Sequence, residues 1–190
     1  MMHIRSELRI PLVIAAVVAM GLTGCATAAK PEAMAVSALP AEKPFPQFLS
    51  HAMCIRNVTG GEKTNPLWVS KVDNDGFRSA LGTSLDNAGL SAPASSCSYP
   101  VDVNLLGLSQ PAFGLSFTVT SHVNYKVYDS NAQPVVLETI DAPYTATVSD
   151  ALIAIERMRL ANEGAIRASI GQFFDKLRDA HPAQTASAAQ

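Results

Sequence analysis

Between residues 115 and 127 every second side chain is apolar or small: Leu115, Phe117, Val119, Ser121, Val123, Tyr125 and Val127. Ser116, Thr118, Thr120, His122, Asn124 and Lys126 fill the positions between them. A period of two puts successive side chains on opposite faces of an extended chain, so residues 113–128 are predicted to form one long strand, dry on one face and wet on the other. Asp129, Ser130, Asn131 and Ala132 then supply turn residues. The chain returns over 135–148 with Ile140, Ala142, Tyr144, Ala146 and Val148 on a common face, which predicts a hairpin.

Shorter strands are expected at 52–58, ended by Gly60 and Gly61, and at 101–108, where Val101, Val103 and Leu105 alternate with Asp102 and Asn104. Pro111 and Gly114 break the chain before the long strand. Two helices complete the pattern. Over 75–88, Phe77, Leu81, Leu85 and Ala88 make one apolar stripe; Asp73 or Asn74 can cap its first N–H groups, and Gly89 can close its last turn with Leu90 folding back. Over 155–177, with Asp150 as a candidate earlier start, the sequence sets Ile166, Ile170, Phe173 and Leu177 on one side and lets Glu156, Arg159, Glu163 and Arg167 pair on the other. The run from Arg157 to Arg159 is accordingly expected to line a wet helix face.

The order β-α-β-β-β-α suits a two-layer α+β fold, a mostly antiparallel four-stranded sheet with two helices on one face and a Thr- and Ser-rich row on the other. No internal repeat or coiled-coil heptad is visible.

The first residues are a separate matter. Arg5 and Arg9 precede an apolar run from residue 10 to 20 that is shorter than the roughly 20 residues a membrane span requires. The run ends in Leu22-Thr23-Gly24-Cys25, which resembles the bacterial lipoprotein lipobox of an aliphatic residue, a small residue, Gly or Ala, and then Cys. That resemblance implies a signal peptide over 1–24, cleavage before Cys25, diacylglycerol on its thiol and acylation of the new amino terminus. One acyl chain binds a bilayer marginally, whereas each buried methylene adds about 0.8 kcal/mol, so two or three chains hold a domain in place. Ala26 in place of Asp favours, by resemblance to the Gram-negative sorting rule, the outer membrane, with the domain in the periplasm.

Residues 25–47, with Pro31, Pro40, Pro44 and Pro46 and no period, read as the lipidated cysteine and a flexible tether. About 20 such residues extended at ~3.1 Å each would reach some ~60 Å. The folded domain is expected over 48–180 and a disordered tail over 181–190.

Cys54 and Cys97 are the remaining thiols, and export places them in an oxidising compartment where pairing is favoured. The bridge would close a loop of about 44 residues and constrain the unfolded chain by roughly 4 kcal/mol in the entropy account. Two buried free thiols or a metal pair are the rival readings, although neither CxxC spacing nor adjacent histidines support a metal.

No catalytic, cofactor or metal motif stands out. His51, His122 and His181 show no nucleophile-elbow, zinc-helix or phosphate-loop spacing. His122, on the polar row beside Thr120 and Asn124, is the candidate for catalysis if folding brings it a carboxylate such as Asp102 or Asp141; a solvent-facing histidine is the simpler explanation. Gly60-Gly61 lacks the Lys and Ser or Thr of a phosphate loop, and Asp73, Asp75 and Glu62 lack calcium-loop spacing. Trp68 with Leu67 and Val69 could be an exposed apolar contact or part of the core. A net charge of −2 gives no cationic excess for nucleic acid.

The order of Phe77, Leu81, Leu85 and Gly89, then Val101, Val103 and Leu105, the long hairpin ending in Tyr144, and a terminal helix closing with Phe173, Phe174 and Leu177 resembles small envelope lipoproteins of the YajG type. More distantly it resembles the auxiliary lipoproteins of lipid-transporting ABC systems. The two internal cysteines depart from those families. The resemblance implies a lipid-anchored, non-enzymatic accessory or binding domain that takes an envelope protein or lipid as partner. A small periplasmic hydrolase or transferase is the alternative.

Overall fold

The computed structural model describes residues 26–37, 43–65 and 70–182. The signal peptide, Cys25, Trp68 and residues 183–190 of the tail lie outside them. A single helical turn, α1 (Pro31–Met34), precedes β1 (Met53–Thr59), α2 (Asn74–Asn87), β2 (Tyr99–Ser109), β3 (Phe117–Tyr128), β4 (Pro134–Ala146) and the long α3 (Ala154–Arg178). The strands lie in chain order in one open sheet, with β2–β3 and β3–β4 antiparallel and β1–β2 parallel. Parallel neighbours cannot be joined by a tight turn, and α2 is the crossover between them. The fold is therefore α+β with a mixed sheet and the helices on one side.

Alternation does what it predicts. Val119, Ser121, Val123, Tyr125 and Val127 are buried under α2 and α3, while Thr118 and Lys126 face water. The β3–β4 register runs unbroken from Phe117↔Ala146 to Val127↔Val136. Phe113 and Leu115 are an exception: the strand starts only at Phe117, and both side chains project from the β2–β3 connection, which Pro111 and Gly114 hold out of the sheet. Tyr125 stacks on Phe173 at 4.3 Å between ring centres and meets Phe77 edge-on at 6.5 Å, tying β3 to both helices.

The ends of α2 obey the local chemistry. Asp73 accepts a hydrogen bond from the Gly76 N–H at 2.7 Å, and Gly89 takes φ +67, letting the Leu90 N–H reach the Leu85 carbonyl and Leu90 turn into the core. Asp150 does not begin α3. Its carboxylate accepts from the N–H and hydroxyl of Thr147, closing a separate turn, and the helix starts at Ala154. Cys54 and Cys97 form a disulfide, 43 residues apart in sequence, that ties β1 to the loop entering β2.

The expected tether is the largest departure. Residues 26–37 pack on the domain: Ala26 is 4% exposed, Met34 is fully buried between the helices, and Ala29, Ala35 and Val36 are buried too. Further along, Phe45 packs edge-on with Phe174, and the Arg178 guanidinium lies over the Phe45 ring. The segment shows no period because α1 is one turn long and presents a single large side chain, so proline and alanine content alone suggests an unfolded chain.

Candidate functional site

The N-terminal segment lands on the polar side of α3. The Lys30 N–H donates to Glu163 Oε1 at 2.8 Å, and Arg167 donates to the Ala33 carbonyl. Beneath that cover lie Arg159 and Glu163, and Arg157 is buried separately against Phe117 of β3, so the charged run is interior and not the wet face its spacing predicts. Arg159 bonds both Glu156 and Glu163. The hydrogen bond to Arg159 holds the Glu156 carboxyl below its ordinary range, and the same bond raises the guanidinium. Burial of such a network is tolerable only because nearly every donor has an acceptor.

Beyond the start of α3, the Ala151 and Leu152 carbonyls both accept from Arg157 Nη1 at 2.8 Å, and the same guanidinium lies over the Phe117 ring at 5.3 Å. The β4–α3 connection is thereby fixed with its apolar side chains outward: Leu152 is 89% exposed and Ile153 63%. Facing it, the β2–β3 connection exposes Phe113 at 87% and Leu115 at 78%. An open cavity of about 370 Å³ lies between the two, lined by Gln110, Pro111, Ala112 and Phe117 on one side and Ala154, Ile155 and Met158 on the other. Contiguous exposed apolar groups of this kind mark contact surfaces. Alternation alone assigns Phe113 and Leu115 to the strand, and nothing in the spacing of Leu152 and Ile153 sets them apart from a helix start.

A second arrangement lies on the open face of the sheet. His122 Nδ1 meets Asp141 Oδ1 at 2.7 Å, and His122 Nε2 meets Ser109 Oγ at 2.9 Å, a row across β2, β3 and β4 with the connectivity of a hydrolase triad. Asp141 is thus the carboxylate that folding brings to His122. Asp102 is engaged elsewhere: Arg56 holds it in a two-pronged ion pair and keeps its carboxyl below the usual range. Ser109 carries no signal in the sequence, because its contact depends on the bulge between Leu105 and Gly107, which resets the β2 register. The row lies on a pleated surface with Asp141 largely in water. An oxyanion above such a row needs N–H donors that converge on it, whereas regular strand N–H groups point along the sheet towards neighbouring strands.

His51 lies in the turn before β1, and His181 comes just after the end of α3. Glu62 pairs with Lys71 at 3.4 Å, and Asp73 caps α2. Gly60, at φ +81, is the turn that ends β1; a side chain there would strike the Leu105 carbonyl. Among the described residues, no three His, Cys, Asp or Glu side chains gather where they could hold a metal ion.

The sequence matches no protein-family profile and no curated protein. Solved structures do resemble it. Protein XCC0632 from Xanthomonas campestris, of the family DUF330, superposes with a TM-score of 0.56 at 10% identity, covering 80% of this chain and 94% of that one. A candidate lipoprotein from Caulobacter crescentus CB15 gives a TM-score of 0.45 at 16% identity over 66% of this chain and 88% of its own. A minor lipoprotein from Acinetobacter baumannii gives 0.37 at 12%, over 68% and 89%. The chain is an α+β domain with a four-stranded mixed sheet covered on one side by helices. Its fold is that of the Xanthomonas protein, and at such low identity the likeness concerns the fold.

Proposed function

We propose that this chain is a lipid-anchored, non-enzymatic accessory or binding lipoprotein of the cell envelope, held to the outer membrane through an acylated Cys25 with its domain in the periplasm. The observation that carries the reading is the lipobox Leu22-Thr23-Gly24-Cys25, succeeded at once by Ala26, a residue already packed on the fold. Among the described residues no helix is long and apolar enough to cross a membrane. The resemblance to auxiliary lipoproteins of lipid-transporting ABC systems makes an envelope protein or a lipid the component it holds.

The reading is tested by expressing the full chain in a Gram-negative host supplied with radiolabelled palmitate. The wild type is expected to carry label and sediment with outer membranes, whereas Cys25→Ala carries none. An unlabelled wild type overturns the assignment.

The row Ser109–His122–Asp141 supports a hydrolase as the second reading. A fluorophosphonate probe decides it: labelling of Ser109 that disappears in His122→Ala would replace the accessory role with turnover.

A further inference from the structure

Taken from Val36 back to Ala26, the contacts of the N-terminal segment progress towards one end of the molecule. Val36 is held near the C-terminal half of α2, its N–H donating to Ser84 Oγ at 2.9 Å. Ala33 then meets Arg167, and Lys30 meets Glu163, one turn nearer the start of α3. Ala29 donates to the Lys71 carbonyl at 3.3 Å. The adjoining Ser70 carbonyl accepts from Gln110 Nε2 at 3.0 Å and Asn162 Nδ2 at 2.8 Å, which puts this strip beside the cavity that Gln110 lines. Two residues, Thr27 and Ala28, separate Ala29 from the buried Ala26, so Ala26, to which Cys25 is bonded, lies close to the end that carries the exposed apolar loops.

That end has two independent properties a bilayer would use. The chain outside the fold is too short to hold it away: with Ala26 packed, no tether separates the acylated residue from the domain. Phe113, Leu115, Leu152 and Ile153 project there on connections held by Arg157 and Pro111. Asp150, the carboxylate in these connections, is bonded back onto Thr147. We propose that this end rests on the membrane, the four apolar side chains entering the boundary between headgroups and acyl chains of the same leaflet that carries the Cys25 lipid. Apolar faces of interfacial proteins sink about 5–10 Å at such a boundary, a depth these side chains can reach without moving the sheet. The opposite end of the hairpin, one strand length of about 40 Å away at ~3.3 Å per residue, would then stand upright in the periplasm. The proposal rests on the acylation of Cys25.

Single cysteines introduced in the full, exported chain at Phe113, Ile153 and, as the far-end control, Ser130 can be labelled with an environment-sensitive nitrobenzoxadiazole dye after purification in detergent. Intact mass first establishes whether the acyl groups are present; their absence refutes the anchor, separately from any result of the quenching measurement. The acylated protein is then placed in vesicles of phosphatidylethanolamine and phosphatidylglycerol with brominated acyl chains. Blue-shifted dyes at 113 and 153, quenched by bromine several-fold more strongly than the dye at 130, are the expected result. Equal weak quenching at all three positions in acylated protein overturns the proposal. So do dyes at 113 and 153 that are blue-shifted but unquenched, because a protein, another copy of this chain included, would then cover the loops. Leu152→Ser serves as the second variant: it is expected to leave the melting temperature unchanged and to weaken quenching at 153, which a fold defect would not produce.

Discussion

At one end of the β3–β4 hairpin the chain reverses through residues 129–133. There Asp129 Oδ1 accepts from the N–H groups of Asn131 and Gln133, each at 2.8 Å, and the turn satisfies itself. At the other end are two longer connections, 110–116 and 147–153; Asp150 and Arg157 bond the backbone of the second, yet both hold large apolar side chains in water. Full burial of one such side chain is worth about 1.5–3 kcal/mol, the same as for the phenylalanines of the core. The difference lies in what surrounds them. Core side chains are placed by packing, whereas Leu152 and Ile153 ride on a connection held by polar contacts and Phe113 and Leu115 on one shaped by Pro111 and Gly114, and all four face a medium that lies outside the chain.

Substitutions separate the two kinds of apolar residue. Phe173 is fully buried and stacked on Tyr125, so Phe173→Ala is expected to cost about 3–5 kcal/mol in urea unfolding. Removing the Cys54–Cys97 bridge by a double alanine substitution is expected to cost about 2–4 kcal/mol, seen as a lower urea midpoint. Gly164 comes next. The Tyr144 ring lies where a β-carbon would be, with Arg167 on the ring, so Gly164→Ala should cost about 1–3 kcal/mol. A loss under about 0.5 kcal/mol there would mean that the ring swings away freely.

Tyr125 adds a dependence on pH. Burial pushes its phenol well above the ordinary value, and its hydroxyl meets Ser169 Oγ at 2.9 Å. Below a pH of about 10, the ordinary tyrosine value, the phenol is neutral in both folded and unfolded chains, and its contribution is intact. Above that the unfolded chain ionises first, so stability falls as pH rises. In Tyr125→Phe the alkaline decline is expected to flatten. At neutral pH that variant loses about 1 kcal/mol, because Ser169 is left buried without this partner. An unchanged alkaline slope would show that another group governs it.

Patterning makes the interior legible. The two-residue period of β3, the stripe of Phe77, Leu81 and Leu85, and the Gly89 stop report burial directly, because those elements are long enough for a period to show. The parallel pairing of β1 with β2 is not legible: hydrophobic pattern sets which face is buried, while strand direction depends on where α2 carries the chain. Residues 26–37 are opaque for a related reason. Met34 contributes one large anchor and the alanines contribute none, and the burial of Arg159 and Glu163 depends on this same segment covering α3. The row of Ser109, His122 and Asp141 joins three strands through a bulge, and no spacing along one strand encodes it.

The smallest expected effect bears most directly on the contrast between core and loops. Phe113 and Leu152 are nearly as exposed in the fold as in an unfolded chain, so replacing both by serine removes little that folding had buried. Unfolding free energy is expected to change by no more than about 0.5 kcal/mol, measured by urea denaturation in detergent-free buffer on residues 26–190 produced without the leader and Cys25, so that neither acyl chains nor the apolar run of residues 10–20 can drive association. Sedimentation of the same protein gives the second half: the parent is expected to self-associate through its apolar end as concentration rises, and the serine variant to remain monomeric. If instead the double substitution costs about 2 kcal/mol or more, a loss on the scale of partial core burial, the two loops pack on the domain. The two ends of the hairpin would then be alike in being closed on themselves, and the membrane would have no face to meet.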